Sequence, residues 1–247
     1  MSASSVQKIS KAARIAAEIA GRLHEMIRPG MTELQAASAI RKAIKKAGGE
    51  KESFRIIVAA GHRTALPHGY ATKNRIRRND IVMVDFGAVY KGYCSDITRM
   101  VFMDNGGARL IAAAQDSCND QRLCADNGEA RLIAPLLYRK IYRIVTAAQL
   151  KAICMVRPGM PVRKIDLEVR KIFRKHRLEK YFPHSTGHGI GLKVHEEPRI
   201  SYRKDDILKA GMVITIEPGL YFKGKNKFGI RIEDMVLVTK NGHKVLT

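Results

Sequence analysis

Apolar and polar positions alternate between two periods along the chain. The N-terminal stretch MSASSVQKISKAARIAAEIAGRL is broken by Lys8, Lys11, Arg14 and Glu18, and its spacing predicts an amphipathic helix over 5–27. Pro29-Gly30 is its stop. A second helix is predicted over 32–47, with Thr32 as cap and Gly48-Gly49 as its end. Short apolar runs then predict strands at 54–60, 81–86 and 95–103. Helical spacing returns at 136–154 and 162–176, and strands at 212–217 and 230–238. Between Met103 and Pro135 no period holds: the stretch is rich in Gly, Asn and Asp around two short echoes, GARLIAA and EARLIAP. It reads as an insertion, at about 104–135, containing a loop or short hairpin.

The elements repeat. MIRPGMTELQAASAIRKAIKKAG begins at Met26 and MVRPGMPVRKIDLEVRKIFRKHR at Met155. Both are a helix end, an RPGM turn and a basic amphipathic helix. IVMVDFGAVYKG begins at Ile81 and MVITIEPGLYFKG at Met212, which places Asp85 and Glu217 at matching positions. Two ordered matches predict two pseudo-symmetric α+β halves, meeting across a cleft where a site would form.

Composition adds limits. A chain of 247 residues can bury a real core. It has no run of roughly 18 apolar residues, as a membrane span needs. The interrupted N-terminus lacks the unbroken apolar core of a signal peptide, so the cytoplasm is the expected compartment. Lys and Arg number 45 against 23 acids, a net charge of +22. Such a surplus attracts polyanions such as RNA, the ribosome or an acidic membrane surface. The basic residues are spread through NRIRR, YRKIYR, VRKIFRKHR and FKGKNK with few interleaved aromatics. That pattern argues for weak nucleic-acid or ribosome association at most, against a solvated basic surface as the alternative. Cys94, Cys118, Cys124 and Cys154 form no CxxC pair, and free thiols are expected in a reducing compartment.

The chemistry concentrates in acids set on apolar strands. Asp85 ends IVMVD, Glu217 ends MVITIE, Glu233 lies in IRIEDMVLV and Asp96 in CSDITR. Any one could be a structural ion pair. Four together would repel unless protonated or bound to cations, and the many Arg and Lys residues leave a buried ion-pair network open. His184, His188 and His195 fall within FPHSTGHGIGLKVHEEP, beside glycines that permit close backbone approach. Four carboxylates with an imidazole form an oxygen-rich set suited to Mn, Fe, Co or Zn, and two divalent ions would offset the four charges.

VDFGAVYKGYCSDITR, STGHGIGLKVHEEP, ITIEPGLYF and GIRIEDMVLVT together resemble the pita-bread metallopeptidases, which comprise methionine aminopeptidases, Xaa-Pro aminopeptidases and prolidases. The resemblance covers nearly all of the chain outside 104–135. It implies an α+β fold of two halves with a curved antiparallel sheet and outer helices. It also implies five ligands for two metal ions, at Asp85, Asp96, His188, Glu217 and Glu233, and substrate-facing histidines at His68 and His195. The ions would be manganese first, with cobalt, zinc or iron as alternatives. ALPHGYAT around His68, His184 four residues before His188, and Arg231 two residues before Glu233 are similar to the Xaa-Pro branch. Under this resemblance Glu217 shuttles a proton, His68 and His195 bond the scissile carbonyl, and His184 and Arg231 hold the downstream residue. The chain is then expected to be one catalytic domain over 1–247 without a separate N-terminal domain, taking a peptide substrate, with a homodimer open. A methionine aminopeptidase acting on nascent chains and a non-catalytic RNA- or protein-binding relative are the competing readings.

Overall fold

A computed structural model describes residues 2–104, 107–110, 133–225 and 227–247. Each half opens with helices and continues into strands. The first contains α1 (Ala3–Gly21), the single turn α2 (Leu23–Met26), α3 (Glu33–Lys46), β1 (Lys51–Glu52), β2 (Ile57–Ala60), β3 (Ile81–Phe86), β4 (Ala88–Tyr90), β5 (Tyr93–Cys94), β6 (Ile97–Asp104) and β7 (Gly107–Leu110). The second contains α4 (Ile133–Met155), α5 (Val162–Lys175), β8 (Gly187–Gly189), β9 (Glu196–Ile200), β10 (Val213–Ile216), β11 (Gly219–Phe222), β12 (Phe228–Arg231), β13 (Asp234–Val238) and β14 (His243–Val245). Among the described residues every strand pairing is antiparallel. The ladders run β2-β3-β6-β7 in one half and β14-β13-β10-β8-β9 in the other, with the β11-β12 hairpin beside them. A bridge between Thr98 and Glu233 joins the two halves.

The repeat is visible in the hydrogen bonds. In the first RPGM turn Gly30 (φ 92°) donates to Ile76 O at 2.8 Å, and Ile76 N returns a bond to Met31 O at 2.8 Å. In the second, Gly159 (φ 80°) donates to Leu208 O at 2.9 Å, and Leu208 N bonds Met160 O at 3.0 Å. Only glycine adopts that backbone cheaply, so both turns need it where they have it. The expected cap is present: Thr32 and Gln35 form a reciprocal capping box at the start of α3.

A fully buried carboxylate near the start of each second helix ties it to the strands. Glu33 accepts hydrogen bonds from Ala60 N, Thr72 N, Thr72 Oγ1, Asn74 Nδ2 and Arg63 Nε, at 2.7–3.1 Å. Asp166 accepts from Thr186 N, Thr186 Oγ1, Tyr202 N and Arg170 Nε. Removing one partner of a buried ion pair leaves the other uncompensated. Glu33→Ala is therefore expected to destabilise the protein by on the order of 3 kcal/mol, read as a lower urea midpoint at unchanged m-value. An unshifted midpoint would show that the network contributes nothing net.

The alternation of side chains along β3 aims the chemistry. Val82, Val84 and Phe86 pack under α1 and α3, whereas Ile81 and Met83 join the core of the second half. Asp85 shares the face of Ile81 and Met83, so it points toward the other half. All six residues of β3 are buried, as a strand covered on both sides must be.

Four expectations are corrected. The first helix breaks at Arg22, whose backbone leaves the helical region (φ −107°, ψ 7°) and bonds back to Ile19 O. The strand expected over 230–238 is two, because at Ile232–Glu233 the chain leaves the β11 ladder and joins β10. Of the insertion, β7 pairs antiparallel with β6, in keeping with a hairpin, and α4 already begins at Ile133; residues 105–106 and 111–132 lie outside the described residues. Cys154 is disulfide-bonded, while Cys94 is free and buried. A compartment argument weighs averages, and proximity in the fold decides the individual sulfur.

Candidate active site

Both halves deliver acids to the bridge that joins them. β3 pairs with β6 so that Asp85 stands opposite Thr98, and Thr98 stands opposite Glu233. Thr98 Oγ1 donates to Glu233 Oε2 at 2.7 Å. Asp96 immediately precedes β6 and Glu233 immediately precedes β13. These two are therefore counterparts, as Asp85 and Glu217 are. The repeat in sequence exposes only the second pair, since CSDITR and IRIEDM share little.

His188 lies on β8, and its N–H donates to Thr215 Oγ1 at 3.1 Å. Thr215 Oγ1 in turn donates to Glu217 Oε1 at 3.3 Å. A Cβ at Gly187 would collide with Thr215 O, so this approach of β8 to β10 requires glycine. The imidazole Nδ1 lies 2.9 Å from Gly189 O. A carbonyl can only accept, so Nδ1 carries the proton and Nε2 keeps its lone pair. Nε2 faces Glu217 Oε1 at 3.3 Å and Asp96 Oδ2 at 3.8 Å. One ligand atom each from Asp96, His188 and Glu233 lie within 4.8 Å of one another.

The electrostatics of the cluster are unsatisfied. Asp85 Oδ1 and Asp96 Oδ1 are buried without a hydrogen-bond partner. Burial, then the charges of Glu233, Asp85 and Glu217, raise the Asp96 carboxyl well above the usual range. Burial followed by Glu217 and Asp85 does the same to Glu233. Burial raises Asp85, against the pull of Arg231, and pushes Glu217 up to about 7. Burial also lowers His188 and His195 and takes His184 down to about 3, so these imidazoles are neutral at pH 7.

The ion-pair alternative is realised once. Arg231 Nη2 lies 2.5 Å from Asp85 Oδ2. Its other nitrogens donate to Tyr221 Oη (2.8 Å), Pro67 O (3.0 Å) and Thr98 Oγ1 (3.1 Å). Among the described residues no Lys or Arg pairs with Asp96, Glu217 or Glu233. Two buried acids and the half-buried Glu217, with one imidazole, no paired cation, and orphaned oxygens on Asp85 and Asp96 beside them, fit divalent metal.

A cleft of about 700 Å³ opens over this cluster, lined by His68, His184, His188, His195, Glu217 and Arg231 among others. All of the residues singled out in sequence thus meet in one place: Asp85, Asp96 and Glu233 beneath the floor, the others at the walls. The His195 ring lies 4.4 Å from that of His188. His184 is held differently from a free substrate contact, with Nδ1 2.9 Å from Ser185 O and Nε2 3.1 Å from Tyr221 Oη. Both nitrogens are engaged, so it offers the cleft its ring. The sequence reading passed over Arg199 and Tyr221. Arg199 could have been found from the alternation of β9, which sets 197 and 199 on its exposed face.

A sequence profile of metallopeptidase family M24 matches residues 7–240. The Xaa-Pro dipeptidase of Pyrococcus furiosus is 40% identical over 242 residues, covering 98% of this chain and 61% of the relative. Among solved structures, the prolidase from Pyrococcus furiosus matches with a TM-score of 0.83 at 39% identity, over 100% of this chain and 64% of that one. The X-Pro aminopeptidase from Thermotoga maritima MSB8 matches with a TM-score of 0.83 at 35% identity, over 100% and 62%. The chain spans about three fifths of the length of the curated relatives it matches. The pita-bread architecture expected from the sequence motifs is present throughout the described residues. Because the profile runs through both halves and every acid and imidazole that converge at their junction, the chain belongs to metallopeptidase family M24.

Proposed function

We propose that this chain hydrolyses the peptide bond before a proline at the N-terminus of a peptide, using two divalent ions. The observation that carries the reading is the shell of four carboxylates, three of them buried, and one imidazole, with orphaned oxygens on Asp85 and Asp96, at the base of a cleft of peptide size. The branch of the family is supported by relatives named Xaa-Pro dipeptidase and prolidase. Asp85, Asp96, His188, Glu217 and Glu233 would hold the ions, manganese by preference, with cobalt, zinc or iron as alternatives. When bound, they would supply Lewis acidity toward water and the scissile carbonyl.

The remaining work falls to side chains. Glu217 is the acid through which protons would pass: its side chain keeps 18% exposure, against 11% for Asp85 and 7% for Asp96. Its carboxylate would accept a proton and return it to the departing nitrogen. His68 and His195, exposed at the cleft walls, would donate hydrogen bonds to the carbonyl oxygen as it gains charge. Tyr221, His184 and Arg231 form one bonded group. It would fix the wall against which the proline ring lies.

The test is an assay of purified protein with added Mn, Co or Zn on Xaa-Pro-Xaa and Met-Ala-Xaa peptides. At least about tenfold faster release of the residue before proline is expected, a difference of ~1.4 kcal/mol in barrier. Faster release of Met would move the chain to the methionine branch. Metal binding without cleavage of either, together with salt-sensitive RNA binding, would overturn the enzymatic reading.

A further inference from the structure

Beside the cleft, across His184, lies a second cavity of about 460 Å³. The two share Pro183, His184, Ser185 and Arg199, and the second adds Arg170, Tyr202, Arg203 and Lys204. Its deepest cation is fixed. Arg170 Nε bonds Asp166 Oδ2 at 2.9 Å, and Nη2 donates to His184 O at 2.8 Å. The guanidinium lies 4.7 Å from the Phe182 ring centre and 4.8 Å from that of Tyr202. Asp166 is itself fully buried and held by Thr186 and Tyr202, so the orientation of Arg170 is set before any ligand arrives. Its Nη1 makes no hydrogen bond among the described residues.

The charges around this cavity do not cancel. Asp166 pairs with Arg170, and Glu197 with Lys204 at 3.4 Å. Among the described residues Arg199 and Arg203 have no carboxylate within 4.0 Å; Arg199 Nε donates to Ser185 Oγ and Arg203 Nε to Tyr202 Oη. Two uncompensated guanidiniums and one oriented donor therefore face a concave space, where a field is focused more than on a flat surface. Forked guanidiniums suit carboxylate geometry. The four shared lining residues set this space directly beside the first cleft.

We propose that the second cavity binds the carboxylate of a residue beyond the proline, so that the chain prefers peptides of three or more residues with an anionic third position. The carboxylate could be the C-terminus of a tripeptide or an acidic side chain. This inference rests on the peptidase reading. A dipeptide ends before the cavity and would gain nothing from it.

Three tripeptides separate the sources: Ala-Pro-Ala with a free C-terminus, Ala-Pro-Ala amide, and Ala-Pro-Glu amide. On metal-loaded protein, kcat/KM is measured for each, and titration calorimetry is run on the same peptides with the scissile amide reduced to CH2–N, which resists hydrolysis. At least fivefold higher kcat/KM and fivefold tighter binding are expected for one or both acidic peptides over the neutral amide, with the gain in KM. Preference for the free acid assigns the cavity to a C-terminus, and preference for the Glu amide to a side chain. The double variant Arg203→Ala, Lys204→Ala should reduce the ratio to below twofold and leave Ala-Pro dipeptide turnover unchanged. A ratio below twofold in the unmodified protein, or one the double variant leaves intact, overturns the proposal. If no peptide is cleaved, the peptidase reading fails by itself, and calorimetry with the reduced peptides still decides the cavity.

Discussion

Replacing His188 with alanine is expected to lower metal-dependent hydrolysis before proline by about a thousandfold or more, with the protein still folded. That factor is ~4 kcal/mol of barrier, on the scale of what a bound metal contributes by stabilising developing charge. His188 is the one nitrogen among five converging groups, and its proton is pinned on Nδ1 by Gly189 O, leaving Nε2 to bind. Its loss removes a neutral donor and leaves four acids to share the ions. The fold should tolerate this, because β8 is held through backbone: Gly187 and His188 pair with β9, and Gly189 with β10. Far-UV circular dichroism should be unchanged, while calorimetry should show weaker binding or fewer bound ions. Near-normal turnover with metal retained would remove His188 from the shell.

Much of this site could be read from the chain because its residues break local rules. Acids ending the apolar runs of β3 and β10 stand out against their strands, and the repeat pairs Asp85 with Glu217. β3 itself falls at 81–86 as expected, since a strand buried on both faces is a solid apolar block with sharp ends. What escaped depends on which elements become neighbours. A period of two says that Arg231 and Glu233 share a face. It does not say that the chain changes ladders between them, nor that Arg231 turns to Asp85 from the other half. The same holds for the bonds of His184: its place before His188 suggested a substrate contact, and it does line the cleft, but with both nitrogens taken by Ser185 O and Tyr221. Tyr221 lies 37 residues away in sequence, and nothing local announces it.

The position of Arg231 bears on how the two halves stay together. It bonds Asp85 and Thr98 of the first half and Tyr221 of the second. One guanidinium thus offsets one acid and crosses the junction. Its charge also acts on Asp96, Glu217 and Glu233 but pairs with none of them, which sets the energetics of metal removal.

Divalent metal is expected to raise the Tm of the chelated protein at pH 8 by about 15 °C or more. Each ion that binds only the folded chain contributes ~4 kcal/mol at a thousandfold excess over its Kd. Two ions give about 8 kcal/mol, and a chain of this size gains roughly 2–4 °C per kcal/mol. The pH dependence follows from the shifts in the cluster. A carboxyl whose pKa is raised on folding binds its proton more tightly in the folded chain. Its contribution to stability is complete below the unfolded value and is lost as pH rises through the folded one. Glu217 at about 7, with Asp96 and Glu233 well above their ordinary range, carries that loss through neutrality. His184, His188 and His195 are lowered, so their contribution has the opposite sign, but it is nearly complete about one pH unit above the unfolded value of ~6.5. From about pH 7.5 upward the acids therefore act alone. With a chelator present, Tm should fall by about 3–5 °C per pH unit for each proton the folded chain still holds. Protons compete with metal for the same oxygens, so the gain from added Mn should be larger at pH 8 than at pH 6.5. Thermal denaturation with and without chelator at both values, and of the chelated protein from about pH 7.5 to about 9, where the histidines no longer titrate, decides it. A chelated protein whose Tm holds or rises across that window would mean that Arg231 and solvent already neutralise the acids, and the case for a metal shell would lose its electrostatic basis.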